Sequence, residues 1–237
     1  MKTVILLALA LAAPTAGAVE MNLMDQLKEG GAAILVTLGL SILFVAVTAE
    51  RLLRFRSRAV VPDGLAERIR PLWGMRNTPE LLAALEHENS TLGRILLFLA
   101  QHRDQPHAFV SSGAGDIASL ELRHHQQKFY ALSIVATVAP IVGLLGTVIG
   151  MIDAFHVIAY ADGMGNPALL ASGISKALVN TAAGLAVALP ALGMHHFFKN
   201  RMTFYSLELE RQVNALVNEW FAPTPATPPA LQVIHAH

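Results

Sequence analysis

Long runs of apolar residues alternate with polar, basic segments along the chain. Residues 30–49 contain no charged side chain, and two further apolar runs extend over 129–158 and 171–198. About 20 consecutive apolar residues are enough for an α-helix to cross the roughly 30 Å hydrocarbon core of a bilayer. The pattern therefore predicts an all-α integral membrane protein with three transmembrane helices, at 30–50, 129–158 and 171–198.

A short polar loop, residues 159–170, separates the second and third apolar runs. Residues that favour turns are concentrated in it. Because the connection is short, we expect the second and third helices to form an antiparallel hairpin. The turn-forming residues are Asp162, Gly163, Gly165, Asn166 and Pro167.

The first 18 residues have the pattern of a secretory signal peptide. Lys2 gives a positive start, Val4 to Ala13 is a short apolar core, and Ala16-Gly17-Ala18 fits an A-x-A cleavage site. The alternative is an uncleaved membrane helix, for which the apolar run is short and is interrupted by Pro14. We predict a cleaved signal peptide at 1–18.

Positively charged residues collect on one side of the three predicted spans. Segments on the other side contain Lys28 and no other Lys or Arg. Since Lys and Arg are enriched in cytoplasmic segments, a periplasmic N-terminal segment at 19–29, a periplasmic loop at 159–170 and a cytoplasmic C-terminus are predicted. The basic residues that set this orientation are Arg51, Arg54, Arg56, Arg58, Arg123, Lys128, Lys199 and Arg201.

The cytoplasmic region, residues 51–128, is predicted to be helical. Thr78 is a suitable cap for a helix whose first residue is Pro79. Helical spacing is shared by Leu92, Ile95, Leu96 and Leu99.

Small and turn-forming residues divide this region near its middle. Pro106 and the Ser-Ser-Gly-Ala-Gly run at 111–115 are expected to interrupt the helical pattern. Asp116 is then predicted to begin a helix that continues through Lys128 into the membrane.

After the third span, a cytoplasmic helix is predicted at 199–222 and a disordered tail at 223–237. The tail is rich in Pro, Thr and Ala, which favours disorder. The helix carries an apolar stripe with steps of three or four residues, formed by Met202, Tyr205, Leu209, Val213, Leu216 and Trp220.

The composition agrees with a membrane protein and restricts the chemistry. Hydrophobic residues make up 54% of the 237 residues and charged residues 14%, well below the roughly 25% of soluble domains. The chain has no cysteine, and equal numbers of basic and acidic residues give no sign of nucleic-acid binding. Its adjacent histidine pairs are poor metal sites, because neighbouring residues on a helix face different directions. Nucleotide-binding, zinc-protease and serine-hydrolase motifs are missing, so we expect neither an enzyme nor a bound metal.

The second and third spans each carry one face of small residues with a single threonine. In membranes, small residues let helix backbones approach closely, and a hydroxyl needs a partner. One interpretation is ordinary packing, with each threonine bonded to its own backbone four residues earlier. The other is that the helices present hydroxyls inside a bundle. The two faces are Pro140, Gly143, Thr147, Gly150 and Ala154, and Ala177, Thr181, Gly184, Ala188 and Ala191, with Gly146 and Pro190 as further packing or kink positions.

The spacing of polar residues about the loop is nearly symmetric. Thr147 lies 17 positions before residue 164 and Thr181 lies 17 after it. In an antiparallel hairpin both hydroxyls are therefore expected at one depth. Asp153 and Lys176 are expected nearer the outer surface, either as an ion pair or polar mouth, or as two side chains that each extend to the interface.

Neither long span carries an ionisable residue at mid-depth. A hydroxyl can pass a proton or hold water, but its pKa lies too far from the working range for it to store a proton. If the chain moves protons, the titrating carboxylate must come from another chain.

Three motifs in the spans resemble the MotA/TolQ/ExbB proton-channel family, and most of all its ExbB and TolQ branches. The resemblance covers most of residues 30–205. The motifs are Ala49-Glu50-Arg51 with Phe55; Ala139-Pro140 followed by Gly143-Leu144-Leu145-Gly146-Thr147-Val148-Ile149-Gly150-Met151; and Gly173-Ile174 with Ala177-Leu178, Thr181-Ala182-Ala183-Gly184-Leu185 and Pro190-Ala191.

This resemblance implies a homo-pentamer of three-span subunits in the bacterial inner membrane. Two single-span partners, ExbD-like or TolR-like, would occupy the central pore, each with a membrane aspartate. Proton flow, with no other cofactor, would drive rotation that a TonB-like or TolA-like protein carries to the outer membrane. The family's pore-lining threonines correspond to Thr147 and Thr181.

Among the branches, the signal peptide and the outer N-terminal segment favour an ExbB-like role in energising outer-membrane import. A TolQ-like role in envelope integrity and a passive membrane scaffold are the alternatives. One position departs from the family pattern G-I-x-E-A-L, because Lys176 occupies the place of the glutamate. A base cannot serve there as the same proton ligand.

Overall fold

The computed structural model describes residues 31–55, 57–75, 78–159 and 167–221. Within these residues the chain is helical, with no strand. The predicted signal peptide at 1–18, the segment at 19–29 and the tail at 223–237 lie outside the described residues, as does most of the loop at 159–170.

Seven α-helices occur in the described residues. Three helical stretches, Gly31–Arg54, His107–His156 and Leu170–Phe221, are long and apolar enough to cross a membrane. They cover the three predicted spans except residues 30, 157 and 158. The helices are α1 (Gly31–Arg54), α2 (Leu65–Gly74), α3 (Thr78–Glu86), α4 (Thr91–Gln101), α5 (His107–Gln127), α6 (Tyr130–Ala159) and α7 (Pro167–Phe221).

The longest helix, α7, joins two elements that the sequence suggested separately. The third predicted span at 171–198 and the predicted helix at 199–222 form one continuous helix of 55 residues. It continues through Pro190, as α6 continues through Pro140. Each proline lacks a backbone N–H and so removes one helical hydrogen bond.

The predicted interruption at residues 111–115 is wrong, because α5 passes through this run without a break. A Cβ at Gly113 would collide with the ring of Phe98, and Ala114 is fully buried. The small residues are therefore required by close packing of α5 against α4, and they do not form a turn.

The prediction that one helix continues through Lys128 into the membrane is also wrong. Helix α5 ends at Gln127 and α6 begins at Tyr130. Between them the Phe129 N–H donates to the Gln126 carbonyl at 3.2 Å, and the Leu132 N–H donates to the Phe129 carbonyl at 3.1 Å. These three-residue steps tighten the chain locally and leave Phe129 buried.

Contacts divide the chain into two compact units. The described part of the first unit contains α1, residues 125–159 and α7 as far as Met202. Helix α1 packs against α6 in this unit. Near the end of α1, the ring centroid of Phe55 lies 6.5 Å from that of Phe129 and 6.3 Å from that of Phe198, and all three side chains are buried. This aromatic cluster fixes one end of the three-helix packing.

The second unit contains α2, α3, α4, α5 up to His124 and α7 from Thr203. Trp73 and Trp220 stack with their ring centroids 4.1 Å apart, and the Arg103 guanidinium lies 4.3 Å from the Trp73 centroid. The helix predicted from the spacing of Leu92, Ile95, Leu96 and Leu99 is confirmed as α4, and all four side chains are buried. Buried apolar residues of this unit include Leu65, Ile69, Leu81, Leu85, Leu92, Ile95, Leu96, Leu99, Val110, Leu209, Val213 and Leu216.

Candidate functional site

The small-residue faces of α6 and α7 bring the two backbones into contact. A Cβ at Gly184 would lie 2.6 Å from the Ala139 carbonyl oxygen and 3.1 Å from the Gly143 Cα. A Cβ at Gly143 would lie 2.8 Å from the Asn180 carbonyl oxygen. No larger residue fits at either position without separating the helices, so both glycines act as predicted packing residues.

The same contacts give the register of the hairpin. Gly150 faces Ala177, where an added Cβ would lie 3.2 Å from the Ala177 Cβ, and Ala154 lies directly against Gly173. Going from Gly143 to Ala154 along α6, the facing residue on α7 moves back by the same number of positions. The two helices are therefore antiparallel, as the sequence predicted.

The two threonines meet within this hairpin. The hydroxyls of Thr147 and Thr181 are hydrogen-bonded to each other. Thr147 Oγ1 also lies 3.2 Å from the Gly143 carbonyl and 3.1 Å from the Ala177 carbonyl. The contact places both hydroxyls at one depth, in agreement with their symmetric spacing about the loop.

The interpretation with a local backbone bond holds for Thr147, and the presentation of the hydroxyls inside a bundle stays a prediction. The contact from Thr147 to the carbonyl of Gly143 is the local bond to position i−4, and the bond to Thr181 crosses between helices. A hydroxyl has one proton, so one threonine donates to the other, whose proton is then available to a backbone carbonyl such as that of Gly143, 3.4 Å from Thr181 Oγ1. The pair is half-buried and can pass or orient a hydrogen bond, but it cannot store a proton.

Asp153 and Lys176 are not joined by an ion pair within the part of the chain that the structure describes. Asp153 is exposed and Lys176 is half-buried. By the same register, Asp153 lies opposite Ile174 and Lys176 lies opposite Met151, so the two charged residues are two positions apart along α6. The outer polar mouth therefore stays a prediction, and the direct ion pair has no support in this conformation.

The analysis of the sequence missed one polar residue of the hairpin. Asn180 is only 5% exposed, and its side-chain Oδ1 has no hydrogen-bond partner in the structure. It lies opposite Gly146, where an added Cβ would be 2.8 Å from the Asn180 Nδ2 and 2.8 Å from the Ala33 Cβ. An amide in the middle of an apolar run was the available signal, because such residues are expensive in lipid.

The last turn of α1 contains a buried arginine. Arg51 is 9% exposed, and its Nη2 donates to Glu50 Oε1 at 2.5 Å. This pair lies in the Ala49-Glu50-Arg51 motif, one turn before Phe55, whose N–H donates to the Arg51 carbonyl at 2.8 Å. The motif therefore combines an ion pair with the aromatic cluster at one end of the three-helix packing.

Comparison with known protein sequences finds similarity to one family. Residues 87–211 match the sequence model of the MotA/TolQ/ExbB proton channel family. The chain is 30% identical over 187 residues to "Biopolymer transport protein exbB1" of Vibrio cholerae, a match that covers 76% of this chain and 80% of that protein.

Shorter matches fall on other relatives. "Putative biopolymer transport protein ExbB-like 1" of Helicobacter pylori is 38% identical over 85 residues, covering 36% of this chain and 44% of that protein. "Biopolymer transport protein ExbB" of Salmonella typhimurium is 37% identical over 78 residues, covering 33% of this chain and 32% of that protein.

Proposed function

The chain belongs to the MotA/TolQ/ExbB proton channel family, and from this membership we propose that it is an ExbB-like subunit of an energy-transducing motor in the bacterial inner membrane. In this role it uses the proton motive force to energise TonB-dependent import across the outer membrane. The names of its relatives support the ExbB-like branch, since three of them are named for biopolymer transport.

The observation that carries the proposal is the hydrogen bond between the Thr147 and Thr181 hydroxyls inside a tightly packed hairpin. The surrounding faces of α6 and α7 are apolar, so this pair is a polar position at a depth where lipid offers no hydrogen bonds. The geometry suits a lining that guides a proton between water and a carboxylate.

The carboxylate is proposed to come from a partner chain. No Asp or Glu of either span lies at the level of the two threonines. An ExbD-like or TolR-like single-span protein with a membrane aspartate would supply the titrating group, and a TonB-like or TolA-like protein would receive the motion.

A homo-oligomer, in particular a pentamer, is part of the same proposal. Many large apolar side chains of α6 lie outside its packing face and are exposed in a single chain. In a bilayer these side chains contact lipid, the partner helix or neighbouring copies. They include Ile141 at 61%, Leu144 at 60%, Val148 at 50%, Ile152 at 61% and Phe155 at 57% exposure.

Two other roles are distinguished by observable differences. A TolQ-like subunit would co-purify with TolR-like and TolA-like proteins, and its loss would weaken the envelope and leave import intact. A passive scaffold would use the hairpin for packing alone.

The test compares two pairs of substitutions in the assembled complex. Thr147→Ala with Thr181→Ala removes both hydroxyls, and Thr147→Ser with Thr181→Ser keeps them. We expect proton flux into vesicles to fall by about tenfold or more in the alanine pair, because a hydrogen bond worth roughly 1.4 kcal/mol at the barrier changes a rate tenfold. The serine pair should stay near the unmodified rate.

Assembly of the complex is the control, and it should be equal in both pairs. A passive scaffold predicts no difference, so that the alanine pair assembles and couples as well as the serine pair. That result would end the proposed channel role of the two hydroxyls.

A further inference from the structure

A groove between α5 and α7 is an open space in the second unit that the proposed proton path does not use. Its volume is about 290 Å³. Three of its lining side chains on α7, Leu209, Val213 and Val217, are buried and apolar and form its floor. The wall on α5 includes Gly115, where an added Cβ would meet nothing within 4 Å. The groove therefore has free space above an apolar floor.

The rim of the groove is polar and carries little charge. Ser119, Glu210 and Asn214 are exposed along it. Between them these side chains donate and accept hydrogen bonds, which an extended peptide needs for its unpaired N–H and C=O groups. Among the lining residues that the structure describes, Glu210 alone is ionisable. The groove therefore suits a short, extended peptide with apolar side chains and no acidic residue.

The size of the groove restricts its occupant further. An α-helix with its side chains is about 10–12 Å across, and binding pockets for small ligands begin near 300 Å³. A volume of about 290 Å³ accommodates a few apolar side chains but not a whole helix of a second copy.

The residues that follow α7 contain a segment of this chemistry. A proline-rich spacer, residues 223–229, leads to an apolar segment at 231–234 with the sequence Leu-Gln-Val-Ile. Three large apolar side chains in four residues differ from the composition that keeps a chain disordered. Residues 222–237 contain no Asp, Glu, Lys or Arg, so the segment brings no like charge to Glu210.

The spacer is long enough to bring the apolar segment to the groove. Along α7, the lining residues extend from Val217, four positions before Phe221, to Ser206, 15 positions before it. These positions lie about 6 Å and about 22 Å back along the helix axis. Ten extended residues from Phe221 to Leu231 span up to about 31 Å. A reversal at Pro223, which cannot continue the helix, therefore lets Leu231 reach any level of the groove.

We propose that the apolar segment, residues 231–234, docks into the groove between α5 and α7 of its own chain. In extended form Leu231 and Val233 point to the same side, toward the floor, while the polar rim bonds the backbone. Because the segment is tethered to α7, its effective concentration at the groove is high and few contacts are enough to hold it. The docked segment covers apolar surface of the second unit, and this does not depend on the proposed function.

Disulfide trapping tests the docking in the assembled complex, because the chain has no cysteine of its own. Val233→Cys is combined in turn with Ser111→Cys, Gly115→Cys or Ser119→Cys, all on the groove wall. The control pairs it with Ser112→Cys, an exposed position of α5 that does not line the groove. A disulfide needs Cα atoms about 4.4–6.8 Å apart, so the rate of its formation under mild oxidation reports proximity.

We expect at least one groove pair to form the intramolecular disulfide about tenfold faster than the control pair, as measured by intact-protein mass. Adding Leu231→Ser and Ile234→Ser should bring that rate down to the rate of the control, because the apolar contacts are then lost. If no groove pair reacted faster than the control pair, the docking would be refuted.

Mixed complexes distinguish docking within one chain from docking between copies. They contain one chain with Gly115→Cys and another with Val233→Cys. We expect no more disulfide-linked dimer than in the same mixture made with Ser112→Cys. A clear excess of dimer would mean that the segment of a neighbouring copy fills the groove, and it would overturn the assignment to the same chain.

Hydrogen exchange gives a second measurement, on the chain with its natural residues. Amides of residues 231–235 should exchange about tenfold more slowly than in the variant with Leu231→Ser and Ile234→Ser, once intrinsic rates are taken into account. Equal exchange in the two proteins would overturn the proposal. Neither measurement depends on proton transport, so failure of the docking would leave the proposed function unaffected, and loss of the proposed function would leave the docking unaffected.

Discussion

At the scale of single residues, the close approach of α6 and α7 depends on glycines that face backbone atoms. Gly184 is the clearest case, because a Cβ there would lie 2.6 Å from the Ala139 carbonyl oxygen, and neither atom is at the end of a flexible side chain. Gly184→Ala must therefore separate the helices. We expect it to lower the free energy of unfolding in detergent micelles by about 1–3 kcal/mol.

Gly193→Ala is the matched control on the same helix. A Cβ at Gly193 meets nothing within 4 Å, and alanine is the better helix former by about 1 kcal/mol. This variant should therefore be neutral or more stable in the dispersed subunit. If both variants lost stability equally, the Ala139 contact would not be the controlling factor.

The sequence predicted the small residues of the contact between α6 and α7 better than the polar residues near them. The steps of three and four residues located Gly143, Gly150 and Gly184 on the packing face, and symmetric spacing about the loop predicted one depth for the two threonines but not their contact. The amide of Asn180 was visible in its apolar run, but its burial depends on packing against α1, which the sequence pattern does not show. Nor could it decide between an ion pair and separate side chains for Asp153 and Lys176, since residue spacing gives the level of a side chain but not its rotamer.

At the scale of elements, α4 is held by a side chain at its start. The hydroxyl of Ser90 accepts a hydrogen bond from the Gly93 N–H at 3.1 Å, and Ser90 is 1% exposed. Ser90→Ala leaves a buried N–H without a partner. We expect a loss of about 1 kcal/mol, within a range of roughly 0.5–2, in the unfolding free energy of the second unit.

The control for this cap is a serine inside a helix. Ser112 is exposed within α5, so Ser112→Ala removes no cap and should be neutral or slightly stabilising. Unfolding can be followed by tryptophan fluorescence, because Trp73 and Trp220 stack in this unit. Equal unfolding curves for the two variants would show that the Ser90 bond contributes nothing.

Element boundaries show where sequence patterns fail for a physical reason. Glycine and serine favour turns in isolation, which led to the wrong interruption at 111–115. In the fold, Gly113 lies under the Phe98 ring, so packing against α4 decides the conformation. Apolar periodicity was reliable for α4, whose Leu92, Ile95 and Leu99 are all fully buried, because burial and helical spacing agree there.

At the scale of the whole molecule, the second and third spans bring two hydroxyls together with no Asp or Glu at their level. The spans were predictable because length and hydropathy indicate whether a helix is able to cross a bilayer. Their assembly was not, because the apolar side chains left exposed on α6 suit lipid and protein neighbours equally well. Membrane packing has no hydrophobic driving force between helices, so composition does not separate these two kinds of surface.

The missing acid gives a prediction for the reconstituted chain. In vesicles that hold this protein alone, an imposed pH gradient should decay no faster than in empty vesicles, because a hydroxyl pair cannot take up and release protons near neutral pH. Adding the single-span partner should raise the decay rate, and replacing the partner's membrane aspartate with asparagine should return it to the level of empty vesicles. The rate can be read from a pH-sensitive dye trapped inside the vesicles. Rapid decay with this chain alone would mean that its own residues conduct, and the need for a carboxylate from a second chain would then be wrong.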